Sequence, residues 1–194
     1  MKKPAHLGRA LLATFLFTVS GLALAVEFNQ FRAEQSTLRF VSRQMGVPID
    51  GRFGKFAVVL SFDPVRPANA SARLDLDLAS VDAGSKDAND EVVGKAWFNL
   101  KVFPSATFAS TAVRPLGGER FELVGKLTIK GKTQDITAPF TFRQEGANGV
   151  FDGAFTLKRL DFGVGDGPWS DVGTVANEVQ IKFHIVAAAA AVRK

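Results

Sequence analysis

Apolar and polar residues alternate along most of this chain after residue 27. The clearest case is the stretch from Phe121 to Phe142, where two alternating runs flank Lys130-Gly131-Lys132. Successive side chains on a strand point to opposite faces, so this period gives each strand one apolar face and one polar face. A glycine between two such runs favours a tight turn. The stretch therefore predicts a long antiparallel hairpin.

The same alternation predicts six further strands, which makes eight in all. Their approximate ranges are 36–44, 51–62, 70–79 and 105–114 before the hairpin, and 149–159 and 175–187 after it. Eight amphipathic strands need one shared place to bury their apolar faces. A sheet that closes on itself supplies that place and leaves no free edge. The predicted fold is all-β, an eight-stranded antiparallel up-and-down barrel, and a two-sheet sandwich is the alternative.

Two segments interrupt the strand pattern. In residues 80–103, Asp87 or Asn89 can cap a helix, and we predict one short helix at about 87–95, between the third and fourth strands. Residues 161–174 are rich in glycine and predict a long loop. In an up-and-down meander both segments, together with 46–50, lie at one end of the barrel. We therefore expect the mouth of any ligand site at that end.

The first 25 residues have the pattern of a cleavable secretory signal peptide. The basic residues Lys2, Lys3 and Arg9 precede an apolar run from Leu11 to Leu24. Ala23-Leu24-Ala25 then fits a small-residue cleavage site. We expect a single mature domain at 26–194 and a periplasmic location. The alanine-rich tail that ends at Lys194 is too short to span a membrane, so no stable membrane span is expected.

Composition narrows the chemistry that the chain can perform. It has no cysteine, which excludes disulfides, thiol chemistry and cysteine-bound zinc. His184, the one histidine after the leader, shares a polar strand face with Gln180 and Lys182, so we predict no catalytic residue, no metal site and no cofactor. With the leader's three basic residues removed, the formal charge of +5 falls to +2, which gives no support for a nucleic-acid partner.

The chain has 18 phenylalanines and no tyrosine, a composition that suits a dry core or an apolar cavity. An eight-stranded barrel is wide enough either to be filled by side chains or to hold one small ligand. Small inward residues, among them Gly125 and Gly153, either leave a channel or make room for neighbouring phenylalanine rings. The residues alone leave a cavity and a filled core equally open.

Arg159 shares the inward parity of Phe155 and Leu157 at the end of the seventh strand. A buried arginine needs a partner. One hypothesis is a structural ion pair with Asp161, which has the same parity two residues later. The other is a contact with the polar or phosphate head group of a ligand.

Several short motifs follow one another along the chain. They are Gly51-Arg-Phe53, Phe62-Asp-Pro64, Trp97-Phe98, Phe103-Pro104, Thr107-Phe108, Gly125-Lys-Leu-Thr-Ile-Lys-Gly131 and Arg159-x-Asp161-Phe162-Gly163. In this order they resemble the motifs of the YceI-like polyisoprenoid-binding proteins, a family that has a lipocalin-like barrel and is associated with isoprenoid lipids. The resemblance favours a cavity and implies a carrier, not an enzyme, that holds a polyprenyl phosphate or a quinone non-covalently. An enzyme acting on an apolar substrate and a filled-barrel stress or structural protein are the alternatives, and a homodimer is left open.

The predicted ligand-binding residues follow from the inward parity of each strand and from the elaborated end. Along the strands they are Leu38, Phe40, Val58, Leu60, Leu74, Leu76, Leu78, Phe108, Leu127, Ile129, Phe140, Phe142, Phe155, Leu157, Ile181 and Phe183. Around the mouth they are Met45, Trp97, Phe103, Arg159 and Trp169.

Overall fold

Antiparallel strands dominate the computed structural model, which describes residues 26–190. The predicted leader and the last four residues of the tail lie outside the described residues. Within that range no helix is long and apolar enough to cross a membrane. The strands are β1 (Phe28–Phe31), β2 (Thr37–Gln44), β3 (Val47–Phe53), β4 (Phe56–Ser61), β5 (Ser71–Asp77), β6 (Val81–Asp82), β7 (Ser105–Gly117), β8 (Arg120–Ile129), β9 (Lys132–Glu145), β10 (Asn148–Lys158) and β11 (Glu178–Ala189), and the α-helix α1 is Lys86–Val92.

All of these strands belong to one antiparallel sheet, in the order β4-β5-β7-β8-β9-β10-β11-β2-β3-β6, and β1 pairs with β11. The all-β antiparallel prediction is confirmed, and the two-sheet sandwich is wrong. The chain from Val47 to Ser61 pairs with β2 through β3 and with β5 through β4. The sheet therefore curls until this one stretch joins its two sides and gives the strands a common interior.

The described residues form eleven strands and not the predicted eight, and one of the three additional strands arises because the stretch expected at 51–62 is two strands. At the break, the Gly54 N–H donates to the carbonyl oxygen of Ser80 at 3.0 Å, and the Lys55 N–H donates to Ser80 Oγ at 2.9 Å. These bonds end β3 and let β4 turn toward β5. The loop expected at 46–50 is also wrong: β3 begins at Val47, so only a two-residue turn remains after β2. The short strands β1 and β6 were not predicted.

Helix α1 lies between β6 and β7. It runs from Lys86 to Val92, whereas the sequence predicts a helix at about 87–95. The cap is Ser85, whose Oγ accepts a hydrogen bond from the Ala88 N–H at 3.2 Å. Neither Asp87 nor Asn89 caps the helix. Asn89 instead accepts from the Ala83 N–H at 2.6 Å, which ties the helix to the chain just after β6.

A cluster of phenylalanine rings fills the interior at one end of the curled sheet, which we call the plugged end. Phe62 is at its centre, with ring centroids 4.8 Å from Phe142, 5.1 Å from Phe151 and 5.3 Å from Phe121. Strand β1 seals this end, because Phe28 and Phe62 exchange backbone hydrogen bonds at 2.9 and 3.1 Å. Tilted and edge-on ring pairs add to the apolar burial of such a cluster.

The other end, which we call the loop end, carries the two longest connections, the segment 78–104 with α1 and the segment 159–177. The two-residue turns Met45–Gly46 and Lys130–Gly131 lie at the same end. The gathering of the elaborated segments at one end agrees with the meander expected from the sequence.

Two glycines show why small residues occur at inward positions. A Cβ at Gly125 would lie 2.4 Å from the Phe108 ring, and a Cβ at Gly153 would lie 2.2 Å from the Phe183 ring. Rings on neighbouring strands thus cover both glycines. At these two positions the small residues make room for neighbouring phenylalanine rings and do not form a channel.

Gly153→Ala is expected to destabilise the protein by about 1–3 kcal/mol, since the new methyl group fits only if the Phe183 ring and the neighbouring backbone shift. The new methyl group would also meet the Pro139 carbonyl oxygen at 2.7 Å, and a backbone atom in a sheet cannot move freely. Urea unfolding would measure the loss. Gly54→Ala is the control: its Cβ would lie 3.5 Å from its nearest neighbour, so it should be neutral or slightly stabilising. A Gly153→Ala protein as stable as Gly54→Ala would contradict the expectation.

Candidate functional site

A cavity of about 800 Å³ occupies the interior between the phenylalanine plug and α1. Its volume is within the range of small-molecule sites, roughly 300–1,000 Å³. Several inward rings, among them Phe40, Phe108 and Phe155, remain only half-buried although they point away from bulk solvent, because they border this empty space. The interior at this level is therefore a cavity and not a filled core.

Most of the side chains predicted to bind ligand do line this cavity. That they contact a ligand stays a prediction. They are Leu38, Phe40, Val58, Leu60, Leu74, Leu76, Leu78, Trp97, Phe108, Leu127, Ile129, Phe140, Phe155, Leu157, Arg159, Trp169, Ile181 and Phe183.

Three of the predicted residues lie elsewhere. Met45 is 74% exposed, because the turn that carries it is only two residues long and projects from the sheet. Phe103 packs over the turn between β8 and β9, where a Cβ at Gly131 would be 3.0 Å from its ring. Phe142 belongs to the plug, with its ring centroid 5.3 Å from that of Phe28.

Further lining residues were missing from the sequence prediction. Ile136, Ala138 and Val179 share the inward parity of their strands, so the alternation already contained the signal for them. Phe98 and Phe162 also line the cavity, but they come from the connection after α1 and from a 3₁₀ turn. Strand parity carries no information about such positions.

The cavity reaches solvent at the loop end, beside α1. Five of its seven exposed lining residues cluster there: Gln44, Gly84, Ser85, Asp87 and Glu91. The other two are on β5. Across the opening, Trp169 Nε1 donates to Glu91 Oε1 at 2.8 Å, which links the segment 159–177 to the helix. This opening, which we call the mouth, lies at the end that the sequence predicts.

The mouth is acidic. Asp87 and Glu91 contribute carboxylates to it, while Gln44 and Ser85 are neutral. Among the described residues that line the cavity, the cations are Arg73, on β5, and Arg159. A negatively charged group placed between Asp87 and Glu91 would therefore meet like charges.

Arg159 is buried, with 2% of its surface exposed, and all five of its side-chain N–H donors are used. Nε donates to the Ala176 carbonyl at 3.0 Å. Nη1 and Nη2 donate to four more carbonyls at 2.6 to 3.0 Å, those of Val164, Gly165, Trp169 and Val175. Burial lowers the pKa of Arg159, yet a guanidinium remains charged.

The ion-pair hypothesis for Arg159 is therefore wrong, and the same hydrogen bonds argue against a contact with a ligand head group. Asp161 is exposed and makes no ion pair with it in the described range. No donor is left for a ligand head group. What the sequence could not show is that the partners are backbone carbonyls of the loop itself, so that Arg159 holds the segment 163–176 in place.

Two further residues complete this support. Trp97 lies under the guanidinium, with 5.5 Å between its ring and the Arg159 Cζ, and its ring is 5.7 Å from that of Trp169. Lys130, from the turn between β8 and β9, donates through Nζ to the carbonyls of Ala96 at 3.1 Å and Gly163 at 2.6 Å. The loop end thus has a rigid base, on which Trp169 is positioned at the mouth.

His184 lies on the outer face of the sheet, as its polar neighbours predict. Its Nδ1 is 2.6 Å from Asp152 Oδ1 on the adjacent strand β10. It does not line the cavity.

These features define a curled antiparallel sheet with an apolar cavity, plugged at one end and open at the other. Residues 30–187 match the model of the YceI-like domain family. The chain belongs to this family.

Relatives and solved structures agree with this assignment. A "UPF0312 protein" of Azotobacter vinelandii is 27% identical over 187 residues, which cover 92% of each chain. The crystal structure of Burkholderia cenocepacia BcnA is similar with a TM-score of 0.80 and 48% identity, over 82% of this chain and 100% of that one. A polyisoprenoid binding domain from Saccharophagus degradans, implicated in plant cell wall breakdown, shares the fold at a TM-score of 0.65 and 17% identity, over 86% of this chain and 99% of that one.

Proposed function

We propose that this protein is a periplasmic carrier that holds a long apolar isoprenoid-type lipid non-covalently inside the curled sheet. The cavity supports this most directly: it is lined by leucine, isoleucine and phenylalanine, plugged at one end and open at the other. A linear chain fits such a space with its tail toward the plug and its head at the mouth. The polyisoprenoid binding domain of Saccharophagus degradans, with the same fold, adds support.

Burial of apolar surface supplies the binding free energy in this proposal. Each Å² of apolar surface removed from water contributes roughly 25 cal/mol, before the cost of ordering a flexible chain. A lipid with many isoprene units is rich in such surface, and the cavity wall offers few polar groups that would have to lose water. No covalent step is required.

The head group at the mouth is uncharged in this proposal. Of a polyprenyl phosphate and a quinone, the quinone suits the mouth better, because Asp87 and Glu91 would repel a phosphate. Arg159 offers no compensation, since its five donors are all bonded to the loop. Trp169 and Gln44 offer an aromatic face and an amide to a neutral ring.

The periplasmic location rests on the leader pattern at 1–25. It is tested by the mass of the protein recovered from the periplasm of expressing cells, which should begin at Val26. A protein that keeps its first 25 residues would contradict it.

Native mass spectrometry of the full-length gene product, purified from cells without detergent, tests the carrier function. We expect a second species heavier by the mass of one lipid, and solvent extracts that contain an isoprenoid quinone. A protein denatured, stripped of lipid and refolded provides the matched apo sample. A clean apo mass for the native preparation, with extracts free of isoprenoid, would contradict the proposal.

A further inference from the structure

We propose that the protein docks on a lipid bilayer through three exposed apolar side chains beside the mouth: Met45, Val47 and Val172. We call these residues the rim patch. Met45 and Val47 flank Gly46 at the tip of the β2–β3 hairpin, and Val172 lies in the segment 159–177. Their exposed fractions are 74%, 59% and 55%. The inference rests on the proposed carrier function, because it names the surface from which the lipid enters.

Met45 occupies a backbone position that suits its side chain poorly. It has a φ of 51° and Gly46 a φ of 81°, and Gln44 pairs directly with Val47 across this two-residue turn. Turns with two positive φ values favour Asn-Gly or Gly-Gly. A large apolar residue there is uncommon, and 74% of Met45 is exposed, so its side chain packs little within the protein. A non-glycine residue at positive φ on the surface motivates a functional hypothesis for its side chain.

The hairpin tip and the loop that carries Val172 form one connected surface. The Met45 N–H donates to the Thr174 carbonyl at 2.9 Å, and the Ala176 N–H donates to the Arg43 carbonyl at 2.9 Å. Asp171 fixes the loop by accepting from the Gly173 N–H at 2.9 Å and from Thr174 Oγ1 at 2.8 Å. The hairpin tip that carries Met45 and Val47 is therefore joined by hydrogen bonds to the loop that carries Val172.

The rim patch is continuous with the mouth, which favours a bilayer as its occupant. Gln44, the residue before Met45, lines the mouth. A lipid that leaves a membrane next to this patch enters the cavity with its tail kept away from water. Arg43 is exposed at the base of the hairpin tip, and its Nη1 donates to the Gly46 carbonyl at 3.3 Å. Its remaining donors are available to lipid phosphates, as in other interfacial segments that combine apolar and basic residues.

Fluorescence of a single label tests insertion directly. The chain has no cysteine, so Met45→Cys gives one attachment site for an environment-sensitive dye. With vesicles of phosphatidylethanolamine and phosphatidylglycerol we expect a blue shift and a rise in emission. Val65→Cys is the control, because Val65 is 81% exposed but lies between β4 and β5 at the plugged end. No change at position 45, or equal changes at both positions, would overturn the inference.

Met45→Asn separates membrane docking from a structural role. Asparagine suits positive φ, so the variant should unfold at a higher temperature than the parent protein. Loss of the apolar side chain should nevertheless weaken co-sedimentation with the same vesicles by about tenfold. Adding Val47→Thr and Val172→Thr should weaken it further. The matched control Val59→Thr/Val65→Thr/Leu116→Gln removes three exposed apolar side chains elsewhere and should leave co-sedimentation unchanged.

Two outcomes distinguish this inference from the carrier proposal. If Met45→Asn and its parent co-sediment equally, the docking inference fails. Uptake of a quinone from detergent micelles would then still report on the cavity. If vesicle binding depends on the patch but no quinone is taken up from micelles, the carrier function fails. A dimer in the absence of vesicles that Met45→Asn dissociates would assign the patch to a second copy of the chain and overturn the inference.

Discussion

Arg159→Ala should destabilise the protein by about 3–5 kcal/mol, a loss in the range seen when a buried hydrogen-bond network is broken. The substitution removes five N–H donors at once and leaves the carbonyls of Ala176, Val164, Gly165, Trp169 and Val175 without them. A buried acceptor left unsatisfied costs about 1–3 kcal/mol, and water that enters the gap recovers part of the sum. Urea unfolding followed by circular dichroism measures the change.

Two variants sharpen this test. Arg159→Lys keeps the charge but has three donors, so it should recover only part of the lost stability. Arg39→Ala removes an exposed arginine from the outer face and should change stability by less than about 0.5 kcal/mol. An Arg159→Ala protein of unchanged stability that no longer takes up lipid would contradict this account and restore the head-group hypothesis.

The interior of the sheet could be predicted from alternation alone. Parity placed Phe40, Leu76, Leu127 and Phe183 inside, and all four line the cavity although they come from four different strands. This succeeds because a strand has a period of two, and a slip of one residue would have moved a whole face outward. The meander also predicts that the elaborated connections lie at one end, as the structure shows.

The interruption of the stretch 51–62 could not be predicted in the same way. Phe53, Phe56, Val58 and Leu60 do not keep a single parity across Gly54–Lys55, but one glycine is weak evidence for a break. What ends β3 is the pair of hydrogen bonds to Ser80, a residue 25 positions away from Lys55. Tertiary contacts of this kind override a local pattern.

The role of Arg159 could not be predicted either, for a different physical reason. In a sequence, the recognisable partners of a buried cation are carboxylates, and Asp161 is the one with the matching parity. Backbone carbonyls occur at every residue and leave no mark in the sequence. The role of Lys130 could not be predicted for the same reason. This residue belongs to the G-x-L-T-I-x-G motif, and its ammonium group donates to the carbonyls of Ala96 and Gly163.

Leu127→Glu should abolish lipid binding and destabilise the protein by about 3–5 kcal/mol, because it places an unpaired charge in the apolar wall of the cavity. Thr128→Glu is the matched control. Thr128 is the next residue on β8 and points to the outer face, where its Oγ1 is 2.8 Å from that of Thr133. The same charge at 128 should change stability little and leave lipid uptake intact. Equal effects at the two positions would contradict the parity of β8.

Leu74→Trp tests the cavity even if Leu127→Glu fails to fold. Leu74 is half-buried and borders the empty space, so a larger ring can grow into the cavity without displacing packed neighbours. Filling a void with apolar atoms preserves or raises stability, whereas a ligand loses the volume that the ring takes. We therefore expect an unchanged or higher urea midpoint together with a clear loss of quinone uptake from micelles. Full uptake by a folded Leu74→Trp protein would show that the lipid binds elsewhere, since no chain could share that part of the cavity with the indole.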